Sequence, residues 1–582
     1  MDKSESSPQA AEIEHDVLQP QNVDPEKSGV QHVHAKTLVL VIAIVSIYFV
    51  QTLNLAGNGL LANTITSVTG GGAQSTWLVS CMAISAAALS PPISQAADYW
   101  GRKWFVVGFT AAGFVGCLIS SRANTFGVLI GGQSIGCLCM GAQPLVHAIA
   151  SEIIPRKYRS HAQAAVTASA CLGGIVGILI GGALVRSTPQ GFRVFYYITA
   201  GSYAILAAIV TWLYNPPPRP LQLELNQRQK LGQLDWWGYL LFLPGLVLFS
   251  YALTSSSGVF PWSSPNIIGP LVVGVVLLVI LGLYEWKGTR VGMLHHNLFS
   301  CGRNFAICLV VIFAEGIVFF AANAFYGYEV AVLYDEDLFH AGLTFTITFW
   351  TAILATVAAG FYVTKTKTIR APLIVAMAFF VVFCATLASL NKSTPKNARG
   401  FAVFGGLGLG TSLNALVVAA QLSTPPELIA VASGLMIGIR SFGGTVGLSI
   451  YSAIFSNTMG TQLPAKVLGA TVPLGFDPQY AGQLLTALTA HDPALLEEIP
   501  GITQEIIQAA GDGVKDAYTI AFRYVWISAG AFALAAAILS CFAIDPKTEF
   551  NAHIDAPVET EAELQRDGFG QILHHHHNKP QV

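Results

Sequence analysis

The run TLVLVIAIVSIYFVQTLNLAG, residues 37–57, contains no charged side chain and is long enough to cross a lipid bilayer. Hydrocarbon offers no partner to an exposed backbone N–H or C=O, so about 20 apolar residues cross it only as a helix. A polar segment of 36 residues precedes the run. The run therefore begins too late, and is too long, for a cleaved signal peptide. We expect it to stay in the mature chain as the first membrane span.

Thirteen further apolar runs follow, separated from one another by charged residues, proline and glycine. The predicted spans lie near 37–57, 74–96, 104–121, 125–152, 161–185, 192–214, 236–256, 265–286, 305–333, 340–363, 370–390, 398–422, 428–457 and 519–543. The sequence therefore predicts an all-α membrane protein with 14 transmembrane helices.

The composition excludes several classes of protein. Only 11% of the residues are charged, against roughly 25% in an ordinary soluble domain. The 30 Lys and Arg nearly balance the 32 Asp and Glu, so the chain has no basic field that would hold nucleic acid. No Gly-Lys-Ser/Thr phosphate loop and no cluster of nucleophile and base occur, so we expect neither an enzyme nor ATP-driven transport. The nine cysteines lie singly, nearly all in apolar runs, and we expect no metal site and no cofactor.

Lys and Arg in the short loops indicate the orientation, because they favour the cytoplasmic side. Fourteen lie on the side of the termini and six on the other. We therefore expect a multi-pass protein of the cell membrane with both termini cytoplasmic; a vacuolar or vesicle membrane is the alternative. Glu152 is expected to meet Arg156 and Arg159 at the cytoplasmic face. The acidic segment 458–518 is then external, as is Asn391, a glycosylation candidate in an Asn-Lys-Ser sequon.

A shift of 270 residues brings the first part of the chain onto the second. Gly136 then falls on Gly406, Pro155 on Pro425, and the glycine-rich segment 173–177 on 443–447. This relates spans 1–5 to spans 9–13 and predicts two pseudo-symmetric six-helix bundles joined by two extra helices, a 6 + 2 + 6 arrangement. The predicted divisions are a cytoplasmic tail 1–36, an N-terminal bundle 37–214, a linker with two extra helices 215–303, a C-terminal bundle 304–543 with the external loop 458–518, and a cytoplasmic tail 544–582.

The loop after the second span reads DYWGRK, residues 98–103, and places a carboxylate and two cations around one tight turn. With the residues before it, the loop resembles the signature Gly-x-Leu-Ala-Asp-Arg-x-Gly-Arg-Arg/Lys of the major facilitator superfamily. Ser94 and Tyr99 depart from that signature. The resemblance implies a conformational latch, which is no substrate site, formed by Asp98, Gly101, Arg102 and Lys103.

Four glycines of the fifth span resemble the antiporter signature of that superfamily, Gly-x-x-x-Gly-Pro-x-x-Gly-Gly, with Ile178 in place of its proline. They are Gly173, Gly177, Gly181 and Gly182. The resemblance implies a proton-driven exporter. The alternative is a packing motif without chemistry, because glycines four apart let two helices approach closely. Exporters of this architecture commonly have an arginine in the fourth span, where this chain has Gln133, or Gly132 in a register one residue earlier.

Six further stretches match a narrower family. They are SEIIP at 151–155, LDWWG at 234–238, GIRSFGG at 438–444, AYTIAFRYVW at 517–526, DPK at 545–547 and DAPVE at 555–559. Together they resemble the fungal trichothecene efflux pump family, in the fourteen-spanner drug:proton antiporter branch of the superfamily, near the siderophore transporters. The resemblance implies export of toxins and other secondary metabolites.

Few ionisable residues lie inside the predicted spans, and each is a functional candidate because a charge is costly to place in a bilayer. Glu315 and Glu329 lie about four turns apart on roughly one face of the ninth span. We predict Glu315, Arg440, His147 and Glu329 as proton-coupling candidates. The alternatives are a structural ion pair for Arg440, an imidazole bonded to the backbone for His147, and a hydrated position for Glu329.

Aromatic side chains in the ninth and tenth spans are candidates for a substrate cavity that suits bulky, weakly polar ligands. The candidates are Phe319, Tyr326, Phe349 and Trp350. The alternative for any one ring is a position facing the lipid.

Together these features predict a proton-coupled efflux transporter, an antiporter of small hydrophobic organic molecules such as fungal toxins, secondary metabolites or drugs. It would work by alternating access, with the proton gradient as its energy source. A ferric-siderophore importer of the same superfamily would share this topology. A non-transporting membrane sensor would need a longer cytoplasmic extension than tails of 36 and 39 residues. The expected partners are a small hydrophobic substrate, protons and the lipid bilayer, with no nucleic acid, and we expect a monomer.

Overall fold

The computed structural model describes residues 35–551 apart from gaps at 72–73, 218–221, 224, 257–260, 290–291, 301, 335–336, 491–495 and 497–498. Most of the two predicted tails, 1–36 and 544–582, therefore lies outside the described residues. Within the described range the chain forms helices joined by turns and no β-strand. This confirms the predicted all-α fold class.

Fourteen helices of the described range are long and apolar enough to cross a membrane, and they match the fourteen predicted spans. They are α1 Val39–Thr69, α2 Trp77–Trp100, α3 Lys103–Ser121, α4 Phe126–Glu152, α5 Arg156–Ser187, α6 Pro189–Leu213, α7 Trp236–Ser255, α8 Pro265–Gly288, α9 Asn304–Tyr334, α10 Phe339–Thr366, α11 Arg370–Leu387, α12 Pro395–Leu422, α13 Pro426–Leu474 and α14 Gln504–Ser540. Within α9, the residues Ala322–Tyr326 form a π-helical turn.

Helices α13 and α14 continue beyond the predicted spans, so much of the segment 458–518 is helical. A helix rises about 1.5 Å per residue, so the 49 residues of α13 extend over roughly 70 Å, more than twice the thickness of the hydrocarbon. The extensions bury an apolar core of their own, which includes Val467, Phe476 and Leu484. This core stabilises the helices outside the length that a bilayer covers.

The helices pack in the same way in the two halves of the chain. In the first half α1 lies against α5 and α3 against α6; in the second, α9 lies against α13 and α11 against α14. The halves meet where α2 contacts α13 and where α5 contacts α10, and we call these two contacts the seams. Because the 270-residue shift carries α2 to α10 and α5 to α13, the two seams are equivalent.

The two extra helices, α7 and α8, pack on each other beside one of these seams. Helix α7 contacts both α2 and α13. The Tyr239 hydroxyl donates a hydrogen bond to Gln95 Oε1 of α2. On the other side of the seam, the ring centroids of Phe249 and Phe442 lie 5.7 Å apart. The extra pair therefore touches both halves at once.

Glycines of α5 bring this helix into backbone contact with α1. A Cβ atom on Gly173 would overlap the main-chain carbonyl of Phe49, and one on Gly177 would overlap that of Leu53. Glycine is the residue that permits so close an approach between membrane helices. These two glycines thus set the distance between α1 and α5.

The other two glycines of the set lie against side chains. A Cβ on Gly181 would lie 3.2 Å from Leu61 of α1, and one on Gly182 would lie 3.0 Å from Phe339 of α10. Ile178, which replaces the proline of the signature, is buried, and α5 continues through it as an unbroken helix. The four glycines therefore pack α5 against α1 on one side and the seam on the other.

Replacing Gly177 by alanine is expected to lower the thermal unfolding midpoint, because the added methyl overlaps the α1 backbone and overpacking costs about 1–3 kcal/mol. The matched control is Gly201→Ala in α6, where a Cβ has nothing within 4 Å. The control should leave the midpoint unchanged or raise it slightly. Tryptophan fluorescence during heating in detergent, at one scan rate, measures both. Equal midpoints for the two variants would contradict the close α1–α5 approach.

Candidate functional site

Glu315 of α9 and Arg440 of α13 form a buried ion pair inside the second half. Arg440 Nε donates to Glu315 Oε2 at 2.6 Å and Nη2 donates to Oε1 at 3.0 Å, so the contact is bidentate. Both side chains are buried, Glu315 completely. The helices approach closely here because Gly316 has no side chain to place against the main-chain carbonyl of Arg440. Two of the four proton-coupling candidates, Glu315 and Arg440, thus contact each other directly.

Arg440 also lines a small cavity that both halves share. The cavity has a volume of about 40 Å³, enough for a water molecule, and Tyr48 and Gln51 of α1 line it from the first half. Gln51 Nε2 donates to the main-chain oxygen of Cys139 at 2.7 Å. Its Oε1 is buried and accepts no hydrogen bond within the described part of the chain. A buried acceptor without a donor costs about 1–3 kcal/mol, so Gln51 marks a place suited to a further donor.

The structure places the four predicted cavity aromatics in three different environments. Phe319 and Phe349 line the small cavity, and the Phe319 ring centroid lies 4.5 Å from the Arg440 guanidinium carbon, a cation–π contact. Tyr326 does not line it: the side chain is fully buried and its hydroxyl donates to a main-chain carbonyl of α12 at 2.7 Å. Trp350 is 52% exposed on the outer surface of the bundle. Hydrophobicity alone does not distinguish these positions.

The predicted latch residues form a second buried cluster. Arg102 Nη2 donates to Glu152 Oε1 at 2.7 Å and to Asp98 Oδ1 at 3.3 Å, and Nη1 contacts the other Glu152 oxygen. Burial by itself lowers the pKa of Arg102, but the carboxylates of Glu152 and Asp98 outweigh it and raise the pKa above its ordinary value. We call the end of the bundle at which this cluster lies the Arg102 face. Glu152, which was expected to meet Arg156 and Arg159, thus has Arg102 as a partner.

Gly101 and Lys103 complete the turn around this cluster. Gly101 has φ +87°, a left-handed conformation that side chains disfavour, and its N–H donates to Ala97 at 3.0 Å. Lys103 Nζ donates to Asn215 Oδ1 at 2.6 Å and stays partly exposed. Lys103 is therefore beside the cluster and makes no ion pair with it.

Neutral side chains join the two halves at the Arg102 face. Ser151 Oγ donates to Gln421 Oε1 at 2.6 Å. Ser160 Oγ donates to Asn414 Oδ1 at 2.6 Å, and Asn414 Nδ2 returns a bond to the Ser160 carbonyl at 2.8 Å. All four side chains are buried. Ser151 and Gln421 are 270 residues apart, so equivalent positions of the repeat meet each other here.

His147 lies beside this hydrogen-bonded interface and is fully buried. Its Nδ1 is hydrogen-bonded to Gln163 Oε1 at 2.7 Å, and its carbonyl accepts from Gln163 Nε2 at 2.9 Å. Its ring meets Tyr48 edge-on, with centroids 5.4 Å apart. Its Nε2 makes no hydrogen bond within the described residues. His147 thus connects the Arg102 face to the small cavity through Tyr48. The alternative for His147 was a ring bonded to the backbone, but the ring is bonded to the Gln163 side chain instead.

Glu329 lies away from the seams, between α9 and α14. The Trp526 indole N–H donates to Glu329 Oε2 at 2.8 Å. The carboxylate is 1% exposed, so the alternative of a hydrated helix end does not fit. Unlike Arg440, it does not line the small cavity.

The fourth-span position that commonly carries an arginine in exporters belongs to a neutral network. Asn58 Nδ2 donates to Gln133 Oε1 at 3.1 Å, and Gln133 Nε2 donates to Ser120 Oγ at 3.1 Å. The Tyr196 hydroxyl donates to Asn58 Oδ1 at 2.8 Å. The interior of the first half is thus held here by uncharged groups.

The glycosylation candidate Asn391 lies in the turn between α11 and α12. Its Oδ1 accepts a hydrogen bond from the Ser393 N–H at 2.9 Å. The neighbouring Lys392 Nζ lies 3.1 Å from Asp516 Oδ1 of α14, and this hydrogen bond raises the pKa of Lys392. The turn is therefore fixed to the extension of α14.

Two contributing residues were not singled out from the sequence, and a third was expected with other partners. Gln51 has no charge to mark it within an apolar span, and Glu152, expected beside Arg156 and Arg159, meets Arg102 from 50 residues away. Gln421 had an available signal, because the 270-residue shift places it opposite Ser151. A search for polar residues in equivalent places of the repeat would have found that pair.

A family model described as Major Facilitator Superfamily matches residues 42–448. The chain belongs to this superfamily. The match spans most of both halves and includes the Arg102 cluster, the four glycines of α5 and the Glu315–Arg440 pair. This superfamily chain is accordingly a multi-pass transporter and not an enzyme.

Relatives in fungi carry efflux names. The MFS-type efflux transporter ffsH of Aspergillus flavipes is 28% identical over 502 residues, 84% of each chain. The trichothecene efflux pump TRI12 of Fusarium sporotrichioides is 23% identical over 455 residues, 77% of this chain and 75% of that one. TRI12 of Trichoderma arundinaceum is 25% identical over 500 residues, 82% and 80% of the two chains.

Solved structures of the superfamily share the fold. A bacterial homolog of the human lysosomal transporter Spinster, inward-facing and unoccupied, aligns with a TM-score of 0.53 at 15% identity, over 87% of this chain and 98% of that one. The human organic anion transporter MFSD10 aligns with a TM-score of 0.51 at 10% identity, over 86% and 100%.

Arg102→Met is expected to destabilise this superfamily member strongly, because it leaves Asp98 and Glu152 buried without their cation. Breaking a buried pair by removing one partner costs about 3–5 kcal/mol. Lys103→Met is the matched control, since it removes an adjacent, partly exposed cation and should change stability by about 0.5 kcal/mol or less. Thermal unfolding of both variants in detergent makes the comparison. Equal losses would show that Arg102 is held no more firmly than a surface cation.

Proposed function

We propose that this transporter exports small hydrophobic organic molecules in exchange for protons. The observation that carries the proposal is the buried Glu315–Arg440 pair, whose arginine lines a cavity shared by the two halves. In the proposed mechanism Glu315 is the group that carries the exchanged proton, and the Arg440 guanidinium remains charged. The efflux names of the fungal relatives support the direction of transport.

Protonation of Glu315 would remove the ionic part of its two hydrogen bonds to Arg440. The guanidinium stays charged and still needs acceptors in a buried site. Gln51, whose Oε1 accepts no hydrogen bond from the residues that the structure describes, lines the same cavity from the first half, as does Tyr48. In the proposed mechanism a proton on Glu315 redirects Arg440 from its partner within the second half towards these groups of the first half.

Alternating access would then use the seams. At the Arg102 face the halves are joined by neutral hydrogen bonds such as Ser151–Gln421 and by the Arg156–Glu549 ion pair, whose carboxylate is 42% exposed, so that water can solvate it when the halves separate. We propose that the Arg102 face is cytoplasmic, as the distribution of Lys and Arg indicates. The protein would lie in the cell membrane with Asn391 outside, and the Arg102 cluster would act as the latch that steadies the closed cytoplasmic face.

Glu315→Gln is expected to abolish the pH dependence of transport. In inside-out vesicles with an acidic lumen, the wild type should accumulate a trichothecene or a hydrophobic dye faster as the luminal pH falls. The variant should show a flat profile and a gradient-driven rate lower by about tenfold or more, because the proton-binding group is gone and tenfold corresponds to only about 1.4 kcal/mol.

Glu329→Gln is the matched control, a second buried carboxylate away from the small cavity. It should keep the pH dependence of the wild type. A flat profile in Glu329→Gln with a normal one in Glu315→Gln would reverse the assignment. Uptake in the opposite direction, with growth on chelated iron that requires the protein, would favour the siderophore importer instead.

A cross-link between positions 151 and 421 is expected to stop transport. The double variant Ser151→Cys with Gln421→Cys, in a background without the native cysteines, is treated with a short bis-methanethiosulfonate reagent. Transport should fall by at least about tenfold, since two linked halves cannot separate at this face, and a thiol reductant should restore it. Each single variant with the same treatment is the control. Full transport by the cross-linked protein would contradict the opening of the Arg102 face.

A further inference from the structure

A larger cavity lies in the part of the bundle away from the Arg102 face. Its volume is about 410 Å³, within the range of sites for drug-sized ligands. Helices of both halves line it, α1, α2 and α5 on one side and α9, α10 and α13 on the other. Thr254 of the extra helix α7 also reaches it. The cavity is therefore built by all three parts of the fold.

The lining is polar but carries no charge at neutral pH. Two amides, Asn63 and Asn323, face it with a set of hydroxyl groups. The hydroxyl groups belong to Ser75, Thr76, Ser80, Thr254, Tyr328, Ser449, Ser452 and Ser456. Phenylalanine rings and aliphatic side chains form the rest of the wall. The apolar side chains of this wall can contact the apolar surface of a ligand, and its amides and hydroxyl groups can donate hydrogen bonds to oxygen atoms of the ligand.

Asn323 stands out among the lining residues for two independent reasons. It lies in the π-helical turn Ala322–Tyr326, and π-turns inside α-helices are frequent at functional sites because they change the direction of side chains. Its Nδ2 is buried and donates no hydrogen bond within the described residues. A donor of this kind is costly to leave unpaired and is suited to a ligand acceptor.

We propose that this cavity binds an uncharged organic molecule bearing carbonyl or ether oxygen, and that the Asn323 amide donates a hydrogen bond to one such oxygen. The proposal rests on the proposed export function and specifies its substrate class. A net charge on the ligand would lose its water without gaining a counter-ion from this wall. A pure hydrocarbon would leave the Asn323 donor and the hydroxyl groups unpaired.

The surroundings of the Asn323 side chain also depend on how the two halves pack against each other. Asn323 belongs to α9 of the second half, and Gly59 belongs to α1 of the first half. A Cβ on Gly59 would lie 3.0 Å from Asn323 Oδ1. The Asn323 side chain thus meets the first half through its oxygen and leaves its amide donor for the ligand. A ligand held there contacts groups from both halves.

The experiment measures equilibrium binding to the purified full-length protein in lipid nanodiscs. The probe is tritiated progesterone, a rigid, uncharged molecule with two ketone oxygens. Three competitors are tested: pregnane, which has no oxygen; etienic acid, in which a carboxylate replaces the acetyl group; and tetraphenylphosphonium, a cation. The wild type is expected to bind progesterone, and each competitor to displace it at least about tenfold less well than unlabelled progesterone.

Two substitutions test the donor. Asn323→Ala should weaken progesterone binding by about five- to tenfold, the loss expected for one buried hydrogen bond. Asn323→Asp keeps the shape but replaces the donor by a carboxylate, so it should weaken progesterone binding at least as much and strengthen tetraphenylphosphonium binding. Asn457→Ala, on the exposed side of α13, is the matched control and should bind like the wild type. Gel filtration verifies folding, and the gain for the cation in Asn323→Asp is a readout that misfolding cannot produce.

The inference is overturned if the folded wild type binds no progesterone, if it binds etienic acid or the phosphonium as tightly, or if both Asn323 variants bind progesterone normally. Gradient-driven uptake measured on the same proteins separates this failure from that of the export function. Binding that depends on Asn323 without gradient-driven uptake would sustain the site and remove proton-coupled export. Gradient-driven uptake that is the same in the Asn323 variants and the wild type would sustain proton-coupled export and remove the site.

Discussion

A charge that this chain buries at the depth of the membrane has to find its partner inside the protein, because hydrocarbon supplies none. The chain meets this constraint separately in each half. Arg102 is held by Asp98 and Glu152 within the first half, and Glu315 is held by Arg440 within the second. Removing one member of such a pair costs about 3–5 kcal/mol. Each half is therefore held as a unit by contacts that are expensive to break.

The contacts between the halves are of a weaker kind. The buried Ser151–Gln421 bond is neutral, and a net contribution of about 1 kcal/mol is typical of such a bond. At the opposite end Arg186 and Asp337 approach to 3.5 Å, but they are 60% and 42% exposed, so water weakens their attraction. Arg159 reaches the Gln421 carbonyl at 3.3 Å, and Arg156 Nη1 lies 2.9 Å from Glu549 Oε2 in an ion pair whose carboxylate is 42% exposed to water. Strong contacts inside the halves and weak ones between them are what rigid-body rocking requires.

Most of the fold can be predicted from the sequence, but less of the candidate site can. Fourteen apolar runs give the helices, and Asp98 and Arg102 lie only four positions apart across the tight turn at Gly101, so their contact is predictable. Glu315 and Arg440 were predictable one by one, because each is a costly charge in an apolar run. Their pairing was not, since 125 residues separate them. Hydrophobicity likewise does not say which side of α10 faces lipid, and Trp350 was misplaced for that reason.

The repeat duplicates the frame but not the charge. Under the 270-residue shift Glu315 falls on Val45 and Arg440 on Ala170, so the first half has no counterpart of the central ion pair. It offers the shared cavity the neutral Gln51 instead. A proton added to Glu315 therefore changes the electrostatics of one half and leaves the other to respond. Two equal pairs facing each other would titrate together and would favour neither half. In the proposed mechanism, the asymmetry of charge within a symmetric frame would give protonation a direction.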